Sequence, residues 1–152
     1  MDFQIESVLR EKISRRELKA FREFVMRGNL HPNFQRCRYI LKASVGERLV
    51  GVLGIEFWGN YISLRALFVD KEFRKRGIGG ALVKKAQEIA RKEGVQSIFS
   101  YTLFWNNRFY GKLGFVRVNV HSVPWDIQQC VKYHHPHYRS CCALEWKCAQ
   151  TQ

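Results

Sequence analysis

The chain has 152 residues, of which 46% are hydrophobic and 14% aromatic, and this composition supports a buried core and excludes a disordered polar chain. The length predicts one domain over residues 1–152. A formal net charge of +13 favours an anionic partner. Because most of the basic residues are spread along the chain, they are interpreted as solvated surface charge, and a nucleic-acid partner is not expected although the charge does not exclude it.

The N-terminal region and the cysteines bear on cellular location. Charged residues occur within the first dozen positions, and no apolar run there has the length of a signal peptide or a membrane span. The five cysteines are an odd number without a secretory signal, so reduced thiols are expected. These features predict a cytoplasmic protein with no membrane partner.

The first elements are marked by short local signals. Residues 3–9 form an apolar stretch that predicts a first strand. Ser14 and Glu17 make the S-x-x-E pattern of a capping box, which predicts a helix beginning near Arg15. Gly28 can take the left-handed conformation that closes such a helix.

Three apolar segments joined by short turns follow this helix, and such turns favour an antiparallel meander. The segments are Tyr39–Ser44, Leu49–Phe57 and Tyr61–Val69. A predicted helix over residues 78–92 then crosses to a strand over residues 97–102, and a crossover of that length pairs strands in parallel. The predicted fold class is therefore α/β (α+β), a mixed central sheet flanked by helices.

The C-terminal third is predicted to hold a short helix ended by Gly114, a strand over residues 115–120, an irregular segment over residues 121–139, and a last strand over residues 141–147. This last strand, as an edge strand, could pair between chains, so monomer and homodimer both stay open. The irregular segment and its end carry spaced cysteines and histidines, namely Cys130, His134, His137 and Cys141. Their spacing could suit zinc, but it matches no metal motif and Pro136 interrupts helical geometry, so no metal is predicted.

A glycine-rich segment after the buried strand Leu64–Val69 carries the strongest chemical signal. It reads Arg74-Lys75-Arg76-Gly77-Ile78-Gly79-Gly80 and opens the predicted helix. Glycines at a helix start let the backbone approach a ligand, and the first N–H groups attract phosphate. The spacing fits neither the G-x-G-x-x-G dinucleotide motif nor the Walker loop.

The pattern Arg74-x-x-Gly77-x-Gly79, five residues after Val69, resembles the acyl-CoA-binding motif of the GNAT superfamily of N-acetyltransferases. The sequence FYGKLGF at residues 109–115 resembles the second signature of that family, in the family's order and separation. The resemblance implies a GNAT-like acyl-CoA N-acyltransferase fold. It also implies acetyl-CoA as the cofactor and direct transfer of its acetyl group to an amine.

The resemblance implies a set of cofactor contacts. The pantetheine arm would pair with the strand that ends at Val69, the N–H groups of residues 75–80 would hold the pyrophosphate, and the backbone N–H near Leu67 would polarise the thioester carbonyl. Family members usually have an asparagine seven residues before the tyrosine of the second signature, which is Tyr110 here. In this chain that position is Leu103, and Asn106 follows three residues later. The implied cofactor-binding residues are Leu67, Phe68, Val69, Arg74, Lys75, Arg76, Gly77, Ile78, Gly79, Gly80 and Asn106.

The same resemblance implies two catalytic roles. Tyr110 occupies the place of the tyrosine that protonates the leaving thiolate, and a phenol with an ordinary pKa near 10 is protonated at neutral pH. The family's usual positions for a general base hold Ser63 and Arg65, neither of which is a usable base. The best remaining carboxylate is Glu56, near the end of the preceding strand, and it is the predicted base, with His121 as the next candidate. The alternative role for Glu56 is an ordinary surface charge at a strand end.

The acceptor is predicted to be a small molecule with a primary amine. If Arg65 points into the acceptor cleft, its guanidinium would attract a carboxylate or phosphate, so the acceptor is expected to carry an anionic group. Ser63 and His31 complete the predicted substrate-binding residues, since the loop that holds His31 borders the acceptor site in the family. Two alternatives stay open: an acetyltransferase of protein or peptide amines, and a non-catalytic module that binds acyl-CoA or nucleic acid.

Overall fold

The structure is a computed structural model that describes residues 2–28, 30, 34–135 and 137–148. The strands of this part of the chain are β1 (Gln4–Leu9), β2 (Cys37–Val45), β3 (Arg48–Trp58), β4 (Tyr61–Val69), β5 (Ser97–Leu103), β6 (Val116–Val118) and β7 (Cys141–Lys147). The α-helices are α1 (Arg15–Met26), α2 (Ile78–Glu93), α3 (Asn107–Gly111) and α4 (Trp125–His134). No helix of the described residues combines the length and the hydrophobicity needed to cross a membrane.

The seven described strands form one sheet in the order β1-β2-β3-β4-β5-β7-β6. Strands β1, β2 and β3 pair antiparallel, as do β5, β7 and β6. The parallel pair is β4 with β5, over Tyr61–Ser63 and Ser97–Phe99. This mixed sheet with helices confirms the predicted fold class.

Residue contacts divide the chain into two units, of which the first comprises Met1–Glu56 and Arg65–Ala86. Helix α1 packs on one face of the strands of this first unit, where the rings of Phe24 and Phe68 meet edge to face with 5.1 Å between their centroids. The start of α2 lies on the other face, because a Cβ built on Gly51 would be 3.1 Å from Ile78 Cγ2. Single-domain organisation stays a prediction.

The second unit comprises Phe57–Leu64 and Gln87–Gln152. Helix α4 buries Ile127 and Val131 in a cluster with Phe99 and Ala143 from β5 and β7. The segment after α3 is tied to α2, since Gln87 Nε2 donates to the Leu113 carbonyl oxygen at 2.8 Å.

Helix α4 was not expected, because residues 121–139 were predicted to be irregular. The segment instead folds into ten helical residues with Pro124 at the N-cap. Its buried residues Ile127, Cys130 and Val131 stand at helical spacing and form the face that packs on the sheet. Proline next to the first helical residue is compatible with a helix start, so it marks the beginning of α4.

Strand β7 was expected at an edge of the sheet, and this prediction is wrong. It lies between β5 and β6, so that Ala143 pairs with Tyr101 on one side and with Val118 on the other. Over residues 143–145 both sides of β7 are paired, so this part of the strand has no free backbone edge for another chain. The argument for pairing of two chains through β7 therefore fails, and the oligomeric state stays open.

Helix α1 begins at Arg15 as predicted, and its cap can be tested. Ser14 Oγ accepts the backbone N–H of Glu17 at 3.1 Å, while Glu17 Oε1 lies 3.3 Å from Lys42 Nζ. Ser14→Ala is expected to lower the free energy of unfolding by about 1 kcal/mol, measured by urea titration. Ser14→Asp keeps an acceptor oxygen and is expected to retain that stability; an equal loss in both variants would contradict the capping role.

Candidate active site

Strand β4 contains a residue in the left-handed region of backbone conformation. Ala66 has a φ of 60° although it is not glycine, and an L-residue there costs about 1 kcal/mol. The alternation of buried and more exposed side chains along β4 is interrupted here, since Arg65 is buried while Ala66 and Leu67 are both half-buried. Such a residue interrupts the pleat in the manner of a β-bulge and turns nearby backbone groups out of the ladder. This geometry supports the role predicted for the N–H near Leu67, which stays a prediction.

The connection from β4 to α2 ends in an exposed basic segment over residues 74–77. Lys75 and Gly77 both have left-handed backbones, with φ of 62° and 83°. Alternation of ordinary and left-handed residues turns successive N–H groups toward one side and makes a concave anion site. Ala81 donates its N–H to the Gly77 carbonyl oxygen at 3.0 Å, so α2 begins at Ile78, as predicted.

The residues of this segment fit the pyrophosphate of coenzyme A. A Cβ built on Gly77 or Gly80 would meet nothing within 4 Å, so the space over the helix start is open. The first turn of α2 contains no acidic residue, and Arg74, Lys75 and Arg76 add positive charge next to the helix dipole. Arg74 is oriented by its Nε, which donates to the Val69 carbonyl oxygen at 3.1 Å.

Replacement of Gly77 by alanine is expected to weaken the binding of coenzyme A, because a side chain at a left-handed position strains the loop that presents the N–H groups. Gly94 at the other end of α2 provides a matched control, since its φ is +71° and the space around it is also open. Both variants are expected to lose about 1 kcal/mol of unfolding free energy in urea titrations. Only Gly77→Ala should raise the Kd for coenzyme A, by about tenfold. Equal Kd values for the two variants would contradict the role of the loop.

Glu56 and Arg65 form a buried ion pair. Arg65 Nε donates to Glu56 Oε2 and Arg65 Nη2 donates to Glu56 Oε1, both at 3.2 Å. The side chains are only 7% and 3% exposed for Arg65 and Glu56 respectively, and Ser63 is buried as well. The fork of a guanidinium on a carboxylate is a strong, charge-assisted arrangement.

This pair changes the interpretation of both residues. Each Glu56 oxygen accepts one hydrogen bond from Arg65 and has a second lone pair. The role of Glu56 as the general base therefore stays a prediction. The Arg65 guanidinium is paired with a carboxylate of the same chain, which weakens the charge argument for an anionic acceptor. Its predicted role in substrate binding stays a prediction. Sequence reasoning treated the two residues separately and missed the pair.

Tyr110 lies on α3 and is 5% exposed. Its ring packs edge to face between those of Phe109 and Phe115, with centroids 5.0 and 5.3 Å away. Burial raises the pKa of the Tyr110 hydroxyl above 10.0, and a hydrogen bond with Ser100 acts in the opposite direction without cancelling the rise. The hydroxyl is therefore held protonated, as a general acid requires, although Tyr110 catalysis stays a prediction.

Two asparagines next to α3 are held by neighbouring strands. Asn106 Nδ2 donates to Thr102 Oγ1 at 2.9 Å, and Asn107 Nδ2 lies 3.6 Å from Cys142 Sγ. Asn106 is thus fixed at the end of β5, and its predicted contact with the cofactor stays a prediction. His31, a predicted substrate-binding residue, lies outside the described residues.

The cysteines and histidines of the C-terminal third do not assemble a metal site in the described part of the chain, where no group of three or more candidate ligands is positioned to hold an ion. Cys141 Sγ lies 3.7 Å from His135 Nε2. Burial, and secondarily the nearby Cys142, raises the pKa of the Cys141 thiol to about 11. A thiol held protonated in this way is a poor nucleophile.

Comparison with known proteins adds independent information. The sequence model described as Acetyltransferase (GNAT) family matches residues 6–115, which is more than half of the chain. An uncharacterized N-acetyltransferase of Chlorobaculum tepidum is 33% identical over 94 residues, which cover 61% of this chain and 59% of that protein. The match thus spans about three fifths of the length of this curated relative.

Solved structures share the fold at low sequence identity. The N-acetylglutamate synthase of Neisseria gonorrhoeae, complexed with coenzyme A and N-acetyl-glutamate, matches with a TM-score of 0.73 and 11% identity, over 97% of this chain and 36% of that one. The ribosomal-protein-S18-alanine N-acetyltransferase of Escherichia coli matches with a TM-score of 0.70 and 13% identity, over 99% and 97% of the two chains. From the family match, the two signatures and the shared fold, we conclude that this chain belongs to the GNAT family of acetyltransferases.

Proposed function

We propose that the chain is an acetyl-CoA-dependent N-acetyltransferase that moves the acetyl group directly to the primary amine of a small molecule. The observation that carries the proposal is the connection from β4 to α2. Its left-handed Lys75 and Gly77, its open helix start and its three consecutive basic residues suit a pyrophosphate. The Neisseria relative with this fold was solved with coenzyme A, which supports the same ligand here.

The chain's own residues take two roles in the transfer. Acetyl-CoA, when bound, would supply a thioester whose carbonyl carbon takes the new C–N bond as its C–S bond breaks, and the proton lost by the amine nitrogen would pass to solvent. The backbone N–H near Leu67 would donate to the carbonyl oxygen, where negative charge develops. Tyr110 would donate its proton to the departing sulfur, and its hydroxyl is protonated at neutral pH because its pKa lies above 10.0.

The acceptor class follows from charge. Because Arg65 is paired with Glu56, the acceptor amine does not need an anionic group beside it. The formal net charge of +13 repels lysine-rich protein tails, which disfavours basic proteins as acceptors.

A thiol-release assay with acetyl-CoA tests the proposal. The acceptor panel contains free amino acids, polyamines, aromatic amines and peptides with free N-termini. We expect release of coenzyme A with a small amine and negligible release with the peptides. Transfer to peptides alone would overturn the acceptor class, and cofactor binding without transfer to any amine would favour a non-catalytic acyl-CoA-binding module.

A further inference from the structure

Arg48, the first residue of β3, reaches the connection between β4 and the basic loop. Its Nη2 lies 3.2 Å from Asp70 Oδ2 and 3.0 Å from Glu72 Oε2. Its Cζ lies 4.8 Å from the centroid of the Phe73 ring. One side chain thus contacts three of the four residues that follow β4, through two ion pairs and a cation–π contact.

Asp70 is the buried end of this arrangement, with a side chain that is 9% exposed. Its Oδ1 accepts the N–H of Glu72 at 3.1 Å, and its own N–H donates to the Val50 carbonyl oxygen at 2.8 Å. Burial alone would raise the pKa of Asp70, but the Glu72 N–H, Arg48 and Arg27 together hold it below the ordinary value. The Asp70 carboxylate is therefore ionised at neutral pH and able to hold Arg48 in place.

Phe73 transmits the position of Arg48 to the loop. The guanidinium of Arg76 also lies over the Phe73 ring, 5.4 Å from its centroid, so that one ring contacts two arginines. Phe73 is fixed by its N–H, which donates to the Asp70 carbonyl oxygen at 2.8 Å. The N–H groups of residues 75–80 begin two residues later, so a shift of Phe73 displaces the proposed anion site.

We propose that Arg48 is a positioning residue for the coenzyme-binding loop. It orders residues 70–76 before the ligand arrives, which lowers the conformational cost of binding. This role rests on the proposed function and adds to it a residue that lies outside both family signatures. Arg48 is half exposed, and exposed ion pairs contribute little to global stability, so the effect is expected in the loop rather than in the whole chain.

The test compares Arg48→Gln with Arg16→Gln, which removes the same charge from an exposed position of α1. Hydrogen exchange of the intact, ligand-free chain is expected to show faster exchange of the amides over residues 72–80 in Arg48→Gln only. Calorimetric titration is expected to give a Kd for coenzyme A about tenfold higher in Arg48→Gln than in Arg16→Gln. Arg48→Lys, which keeps a positive charge near Asp70 but loses the planar fork, is expected to lie between them.

Kinetic measurements separate positioning from chemistry. Arg48→Gln is expected to raise KM for acetyl-CoA with kcat within about twofold of wild type. Activity with S-acetyl-pantetheine, which lacks the pyrophosphate, is expected to be unchanged. The proposal would be overturned if Arg48→Gln showed the same amide exchange over residues 72–80 as wild type. It would also be overturned if wild type bound coenzyme A and Arg48→Gln bound it with the same Kd. If wild type fails to bind coenzyme A, the proposed function fails, and faster exchange in Arg48→Gln still establishes the ordering of the loop.

Discussion

Tyr110→Phe is expected to lower kcat by about a hundredfold or more, the usual contribution of a general acid. The loss of the hydroxyl and of its hydrogen bond with Ser100 is expected to cost only about 1 kcal/mol of stability, so the variant should stay folded. The measurement is steady-state thiol release at saturating acetyl-CoA, with urea titration of the same samples. The KM for acetyl-CoA is expected to change little, because the hydroxyl acts when the sulfur departs.

Tyr133→Phe is the matched control, because Tyr133 is 78% exposed and the same atom is removed. It is expected to keep the wild-type kcat.

The pH dependence of kcat gives a second check on Tyr110. Because the folded-state pKa of Tyr110 is raised above 10.0, the protonated hydroxyl persists past the pH at which a free tyrosine ionises. We therefore expect that ionisation of Tyr110 causes no loss of kcat below pH 10. A kcat that is unchanged in Tyr110→Phe would refute the role of Tyr110 as the acid.

Breaking the Glu56–Arg65 pair is expected to have the largest effect on stability. Glu56→Ala leaves a buried guanidinium without its carboxylate and should cost about 3–5 kcal/mol. The double variant Glu56→Leu with Arg65→Met replaces the pair by apolar side chains and should be within about 1 kcal/mol of wild type or more stable. Urea titration of the single and double variants measures both values.

The double variant also decides the role of Glu56 in catalysis. If Glu56 serves as the partner of Arg65, the folded double variant is expected to keep kcat within about tenfold of wild type, since removal of a general base typically costs 10²-fold or more. A stable double variant with kcat reduced by that larger factor would show that the pair is needed for catalysis, through Glu56 as the proton acceptor or through Arg65 at the substrate. A double variant as unstable as Glu56→Ala would contradict the stability argument.

Local signals predicted much of the fold. The cap at Ser14, the two-residue turn Gly46–Glu47 and the helix start at Ile78 each depend on residues that are near one another in sequence. A capping oxygen, a left-handed glycine and an unpaired helix terminus act within a few residues, so the sequence carries their signal. The two family signatures then indicated the fold as a whole.

Four features of the structure were not predicted, and they differ in whether the sequence carried a signal for them. Ala66 adopts a left-handed conformation that a sequence pattern assigns to glycine or asparagine. The Glu56–Arg65 pair was accessible in principle, because the two-residue connection between β3 and β4 sets which side chains of these strands share a face. The spacing of Ile127, Cys130 and Val131 likewise carried the signal of α4. The position of β7 inside the sheet depends on long-range pairing that spacing does not encode.

Calorimetric titration of the intact chain with acetyl-CoA tests the central claim most directly, because the proposed function begins with the anion site after β4. We expect saturable binding at one site per chain, weakened in Gly77→Ala and unchanged in Gly94→Ala. Absence of binding at millimolar acetyl-CoA, in a chain that unfolds cooperatively in urea, would contradict the claim that this loop holds coenzyme A.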